Sequence, residues 1–434
     1  MWLVKDRDGD RPCRSTGRNF SARGVALREI TPVIGSDARH PLFNRDFRYL
    51  WIGNTVSGCG DQFFLVALPW LILQLTGSGA VLGGIMMVEA IPRAALMLIG
   101  GAVTDRVSPR KIMMLTAAVR TLLVAALAAF IWKHHVEVWQ IYVLSFFFGV
   151  ADAFAAPAAQ TLLPSLVAPA QLPAANALSQ GTQQLAMLAV PAPAGIIIAA
   201  FGVASAFSID AISFLFIIAA LFRLRDPPPV ESAASRSNIA HSILEGLRYV
   251  KNDVALRTLL LVASVLNFCI SGPLSVGLAF LAKSEFGSPT AFGLLMSSVA
   301  AGSLVGLLLA AARQQRKRGW LLLVVSVVVG ICTTSIGLLS QLWSLLPILF
   351  VMSASAGFLN VHLLAWFQQR VDRAMLGRVM SVLMFASLGL MPLSLAAAGV
   401  AVQWSLRGMF AGAGVLVLVV TFIGALQRPV REID

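Results

Sequence analysis

The chain has 434 residues, 58% of them hydrophobic and only 12% charged, against roughly 25% charged in a soluble protein of ordinary composition. That balance excludes an ordinary soluble domain. The formal net charge of +13 would suit nucleic acid in a soluble protein, but here the basic residues sit between apolar runs, which excludes that partner. Residues 1–40 are basic and polar, hold no hydrophobic core of a secretory leader, and read as a disordered cytoplasmic tail. Twelve apolar runs follow, at roughly 48–75, 80–103, 111–132, 138–161, 174–200, 203–223, 255–282, 290–312, 319–341, 344–368, 376–402 and 405–427. Each reaches the length of about 20 residues that spans a bilayer. Backbone groups in lipid must be satisfied within the segment, so the runs are helices and not strands.

The expected fold is therefore all-α and polytopic, with twelve transmembrane helices in two six-helix bundles. The N-terminal bundle covers 41–225. Arg225-Asp226-Pro227-Pro228-Pro229 cannot continue a helix, and 226–254 form a linker. Within it Ile239, Ile243, Leu244, Leu247 and Val250 share one helical face, a pattern suited to a membrane surface. The C-terminal bundle covers 255–428, and 429–434 form a short tail. Pro191, Pro193 and Gly195 in helix 5, and Pro392 in helix 11, mark places for a bend or close packing. The two Pro-bearing helices stand in corresponding positions of the halves, as internal repeats would have them. Nearly all of the 33 Lys and Arg fall in the tails and the even-numbered links; the odd-numbered side holds only Lys133, Lys283 and Arg407. That bias predicts cytoplasmic termini.

Six ionisable groups lie well inside the runs, away from their ends: Asp61, Glu89, Arg93, Arg120, Asp152 and Asp210. Each costs about 2.5–3.5 kcal/mol to insert at mid-bilayer, so such groups face a cavity or a partner. All six fall in the first half. Asp61 and Asp152 lie nearest the midplane and are candidates for carrying protons or binding substrate, with Glu89 and Arg93 beside them. Glu89 and Arg93 are one turn apart and can pair. Asp152 has an alternative role as the partner of Arg120, and Asp210 reads as a structural acid nearer the outer side. Phe63, Phe64, Trp70, Phe146–Phe148, Met384 and Phe385 suit either a hydrophobic cavity or contact with lipid. Cys13, Cys59, Cys269 and Cys332 fit no metal or disulfide framework. His134-His135 near Glu137 does not converge on one ion. No phosphate-binding loop is present, so ATP is not the direct energy source, and neither a metal nor a cofactor is expected.

The link between runs 2 and 3 reads Gly101-Ala102-Val103-Thr104-Asp105-Arg106-Val107-Ser108-Pro109-Arg110-Lys111. A Gly, then Asp-Arg, then a basic pair resembles the corresponding loop of major facilitator superfamily transporters; Ser108 stands where Gly is usual and Pro109 where a basic residue is usual. Further segments are Gly60-Asp61-Gln62, Ala67-Leu68-Pro69-Trp70, Asp210-Ala211-Ile212-Ser213-Phe214, Glu245-Gly246-Leu247-Arg248-Tyr249-Val250, Gln368-Gln369-Arg370-Val371 and Gly377-Arg378-Val379-Met380-Ser381. Together, over about residues 41–428, they look like the bacterial branch of macrolide efflux pumps and enterobactin exporters. The resemblance implies a transporter and not an enzyme, in a bacterial plasma membrane. It implies proton-driven export of a bulky, often amphipathic molecule by alternating access, with substrate, protons and lipids as partners and a monomer as the working unit. It also implies a gate: Asp105 reaches the start of helix 11, and Gly101, Arg106 and Arg110 complete a charged latch with Asp372. A proton-coupled importer shares the helix count, and a membrane-embedded lipid enzyme would need a polar cluster at one membrane face.

Overall fold

The computed structural model describes residues 40–104, 106–225, 239–312, 318–372 and 375–427. Asp105, the N-terminal tail, residues 226–238 of the linker and the C-terminal tail lie outside the described residues. Helix α1 (Arg45–Thr76) starts where Asn44 accepts hydrogen bonds from the Asp46 and Phe47 amides, and stops at Gly77, whose φ of 62° ends the helix. Then come α2 (Gly79–Thr104), α3 (Pro109–Trp132), with proline at its first turn, and α4 (Val138–Leu166), whose Glu137 and Gln140 form a capping box. The run expected as one helix at 174–200 is two: α5 (Leu172–Ala189) and α6 (Pro191–Phe201), bent by 43°. Pro191 supplies no N–H, and its ring crowds the preceding turn, so the helix breaks there. Helix α7 (Val203–Arg223) closes the first half.

Helix α8 (Ile239–Asn252) is the linker helix. Helix α9 (Val254–Gly272) passes through a π-helical turn at Pro273–Gly277 into α10 (Leu278–Leu281) and a second π turn at Ala282–Phe286. Asp253 caps α9 by accepting from the Ala255 and Leu256 amides. The second half continues as α11 (Pro289–Ala312), α12 (Arg318–Ile336), α13 (Leu342–Arg370), α14 (Leu376–Trp404) and α15 (Leu406–Leu426). Among the described residues, eleven helices are long and apolar enough to cross a membrane, and the bent α5–α6 pair makes a twelfth. The chain is a multi-pass membrane protein.

The halves repeat one packing scheme. In the first, α2 packs on α4, α3 on α4 and α7, and α1 on α7; in the second, α11 packs on α13, α12 on α13 and α15, and α9 on α15. Glycines allow these close approaches, as small residues do between membrane helices. Gly149 lies on the backbone of Glu89, and Gly302 and Gly306 lie on the backbones of Phe350 and Ala354. The halves meet where α2 packs on α14, and where α5 and α6 pack on α11. These junctions crowd toward the face that carries the Gly77, Gly202, Gly287 and Ser405 links, here called the charge-poor face. Gly79 and Gly83 lie against Gly399, Gly195 lies against Pro289, and Gly293 lies against Pro191. Polar contacts join them: Gln403 donates to Ser78, Thr290 to the Gly195 carbonyl at 3.4 Å, and the Ala192 amide to Ser297 at 3.2 Å.

Candidate functional site

A cavity of about 660 Å³ lies in the first half. Its lining runs from Asp61, Arg93, Arg120 and Asp152 at mid-helix to Asn54, Met113, Gln160 and Ser179. The second set lies toward the ends of α1, α3, α4 and α5 on the basic face, opposite the junctions just described. Arg120 organises the charged end. Its guanidinium sits over the Phe148 and Phe214 rings, 5.2 and 5.6 Å from their centres, and it pairs with Asp152. Phe64 stacks on Phe148 at 4.6 Å, which holds that ring in place. Arg93 reaches Asp152 at 3.6 Å and also approaches the Met391 sulfur of α14 at 3.8 Å. The ion pair placed on Arg93 is thus with Asp152, across from α2 to α4. The expectation of a pair with Glu89 on the same helix is corrected to that extent; Glu89 stays within electrostatic reach of both arginines.

Asp210 is fully buried in the first half of α7. Ser213 Oγ donates to its own-helix carbonyl at 2.7 Å and lies 3.4 Å from Asp210 Oδ1, while Oδ2 has no hydrogen-bond partner. Gly60 packs directly on Asp210 and Ser213, which brings the next residue, Asp61, within electrostatic reach of Asp210 and Arg120. The acids therefore form one group around Arg120. The one sequence signal for that hub was a lone arginine inside an apolar run.

Gly101 is half-buried and Arg106 exposed. Arg110 donates to the Leu221 and Phe222 carbonyls at 2.7 and 3.2 Å, satisfying the C-terminal end of α7, where a cation is favourable. Asp372 accepts from the Tyr249 hydroxyl at 3.1 Å. The expected latch belongs to a state closed at the basic face, whereas here the halves meet at the opposite face, and its Asp105 lies outside the described residues. Helix α8, expected to lie on the membrane surface, is bonded to the second half, where Arg378 pairs with Glu245 at 2.9 Å; next to it Arg370 pairs with Asp253, the cap of α9, at 3.0 Å. Of the bend residues, Pro191 and Gly195 sit in the junction with α11. Pro193 is exposed, and Pro392 is buried inside an unbroken α14. Among the described residues, no group of three His, Cys, Asp or Glu could hold a metal ion.

Comparison with known proteins gives a consistent picture. A family model described as "Transmembrane secretion effector" matches residues 36–434. The multidrug efflux pump Tap of Mycolicibacterium fortuitum is 26% identical over 391 residues, covering 87% of this chain and 94% of that protein. Macrolide efflux protein A of Streptococcus pyogenes is 24% identical over 394 residues, covering 89% and 97%. Among solved structures, the nucleoside transporter NupG superposes with a TM-score of 0.70 at 13% identity, covering 90% of this chain and 100% of that one. A bacterial homologue of the iron transporter ferroportin, in its inward-facing state, superposes with a TM-score of 0.65 at 16% identity, covering 87% and 98%. At these identities the structural likeness concerns the fold.

Proposed function

The chain belongs to the transmembrane secretion effector family of major facilitator transporters, a secondary transporter of small molecules, and from that premise we propose that it is a proton-coupled exporter of bulky, amphipathic, cationic compounds. The observation that carries the reading is the cavity lined by Asp61, Asp152, Arg93 and Arg120, with two more acids, Glu89 and Asp210, outside its lining but within electrostatic reach of Arg120. An acid away from water is stable when paired with a cation or when protonated. Here acids outnumber arginines, so the surplus is neutralised by a proton or by a cationic group on the substrate. The two compete for the same carboxylates, which is the elementary requirement of exchange transport.

The site also faces the right way for loading from inside. With the basic face cytoplasmic, as the Lys and Arg placement argues, both termini are cytoplasmic and the cavity runs toward the cytoplasm. The halves are closed on each other at the far face. Substrate enters here and displaces protons. The junctions of α2 with α14 and of α6 with α11 then open to release it, and protons return from outside. The names of the Tap and macrolide efflux relatives support export. The working unit is a monomer, since each step needs only residues of one chain.

The test uses the purified chain in proteoliposomes, with tetraphenylphosphonium as probe. Molecules whose basic face points out into an acceptor medium should concentrate the probe inside when the lumen is acid. They should not do so when the gradient is collapsed with nigericin. Accumulation that ignores the pH gradient, or that runs only in the opposite direction, overturns the reading.

A further inference from the structure

The second half has cavities of a different chemistry. Two adjoining cavities share Ile270, Ala356 and Asn360: one of about 280 Å³ lined from α9, α12, α13 and α14, and one of about 240 Å³ between α9, α11 and α13. No Asp, Glu, Lys or Arg lines either one. Their polar groups are neutral: Asn267, Ser271, Ser303, Ser353 and Asn360. Ser353 is only 5% exposed, yet its hydroxyl has no hydrogen-bond partner. A serine in a helix ordinarily satisfies itself on the carbonyl one turn back, as Ser326 does on Leu322 at 2.8 Å, and buried polar groups left unmatched are few in native interiors. Asn267 accepts from Ser271 at 3.3 Å through its carbonyl oxygen. No side-chain hydrogen bond is made by Asn360 or by the Asn267 amide nitrogen among the described residues.

We propose that these cavities form a subsite for an uncharged, oxygen-rich part of the substrate, such as a sugar ring or another group bearing hydroxyls and carbonyls. The proposal rests on the export reading and divides recognition between the halves. The first half neutralises a cation with carboxylates. The second reads neutral oxygen atoms with amides and hydroxyls, set in walls of Leu266, Leu359 and Leu363. A carboxamide both donates and accepts, so it matches a hydroxyl or a carbonyl equally well. A charged group gains nothing here, because no counter-charge is present to offset its desolvation. Ligand pockets run to roughly 300–1,000 Å³, so each of these cavities holds a part of a drug-sized molecule and not the whole.

The experiment uses two probes with the same cation: triphenylphosphonium linked through a butyl chain to glucose, and the same cation linked to cyclohexane. Equilibrium binding is measured on the full chain in lipid nanodiscs. Wild type should bind the glucoside more tightly. Ser353→Ala and Asn360→Leu should each weaken the glucoside about fivefold, the loss of one neutral hydrogen bond, and leave the cyclohexyl probe within twofold. Ser353→Thr and Asn360→Gln, which keep the polar groups, should retain the preference and show that the folded site persists. Equal affinity of wild type for both probes, no binding of the glucoside, or equal losses for both probes in the variants would overturn the subsite. The export reading is judged separately, by pH-driven flux of the cyclohexyl probe, which does not engage the subsite.

Discussion

At Arg120 a single guanidinium joins two aromatic rings and Asp152 inside an apolar half. Removing one member of such a buried pair leaves an uncompensated charge, at a cost of about 3–5 kcal/mol, while removing both is much milder. Arg120→Met should therefore lower thermal stability in detergent strongly, and adding Asp152→Asn should restore most of the loss. Equal instability of the single and double variants would mean that Arg120 acts by packing alone. The carboxylates around it answer to a different assay. Asp61→Asn and Asp210→Asn should abolish uphill, pH-driven transport while leaving downhill exchange partly intact; a purely structural acid would lose both together. Asp61 and Asp152 were legible in the sequence because a carboxylate inside an apolar run is costly and needs a reason. That Asp210 comes within electrostatic reach of Asp61 and Arg120 was not legible, because it depends on Gly60 letting α1 press against α7.

Helix α2 meets α14 through glycines on both sides, and a Cβ added at Gly83 would stand 2.9 Å from the Gly399 Cα. Two backbones that close cannot admit a branched side chain. Gly83→Val should hold the charge-poor face apart and populate the state open on that side. The check is a Cys placed at Ser78, to which Gln403 of α14 now donates: its labelling by an impermeant maleimide should rise several-fold over the Gly83 background. Unchanged labelling would show that the junction closes elsewhere. Helix α8 is held to the second half by the Glu245–Arg378 pair. Exposed pairs contribute only about 0–1 kcal/mol each, so Arg378→Glu should scarcely alter stability. By repelling Glu245 it should slow transport, and Glu245→Arg in the same chain should recover the rate. Failure of the exchange to recover it would assign Arg378 some other role. The amphipathic face of α8 was readable from its spacing; its docking against α14 was not, since the same face suits a lipid surface.

For the molecule as a whole, orientation follows from where the positive charges lie. In a background without the natural cysteines, a Cys at His134 should react with an impermeant reagent applied to intact cells, and one at Ser235 should not. Reaction at Ser235 would invert the proposed topology, and with it the direction in which the cavity loads. Alternating access further requires the basic face to close in its turn. Asp105, outside the described residues, is the proposed anion of that closure. Asp105→Asn should reduce transport without reducing expression, and full activity in the variant would remove the loop from the mechanism.

The sequence by itself determined that the chain is a polytopic helical membrane protein, how many apolar runs it has, and that every Asp, Glu, Lys and Arg well inside them lies in the first half. These are local properties. Lipid demands backbone satisfied within each segment and penalises each charge wherever it stands, so composition along the chain records them directly. The break at Pro191 sits between the two kinds of knowledge: the proline was visible, but the size of the bend, 43°, and its packing against α11 belong to the tertiary structure. Only the tertiary structure decided which groups meet. Phe148 turned inward to Phe64 and Arg120, while its neighbours Phe146 and Phe147 stayed exposed. A helix that is apolar all round has no polar face to orient it, and lipid tails are as apolar as a protein core. The pattern of residues therefore cannot tell an inward side chain from an outward one, and only the contacts between helices settle it.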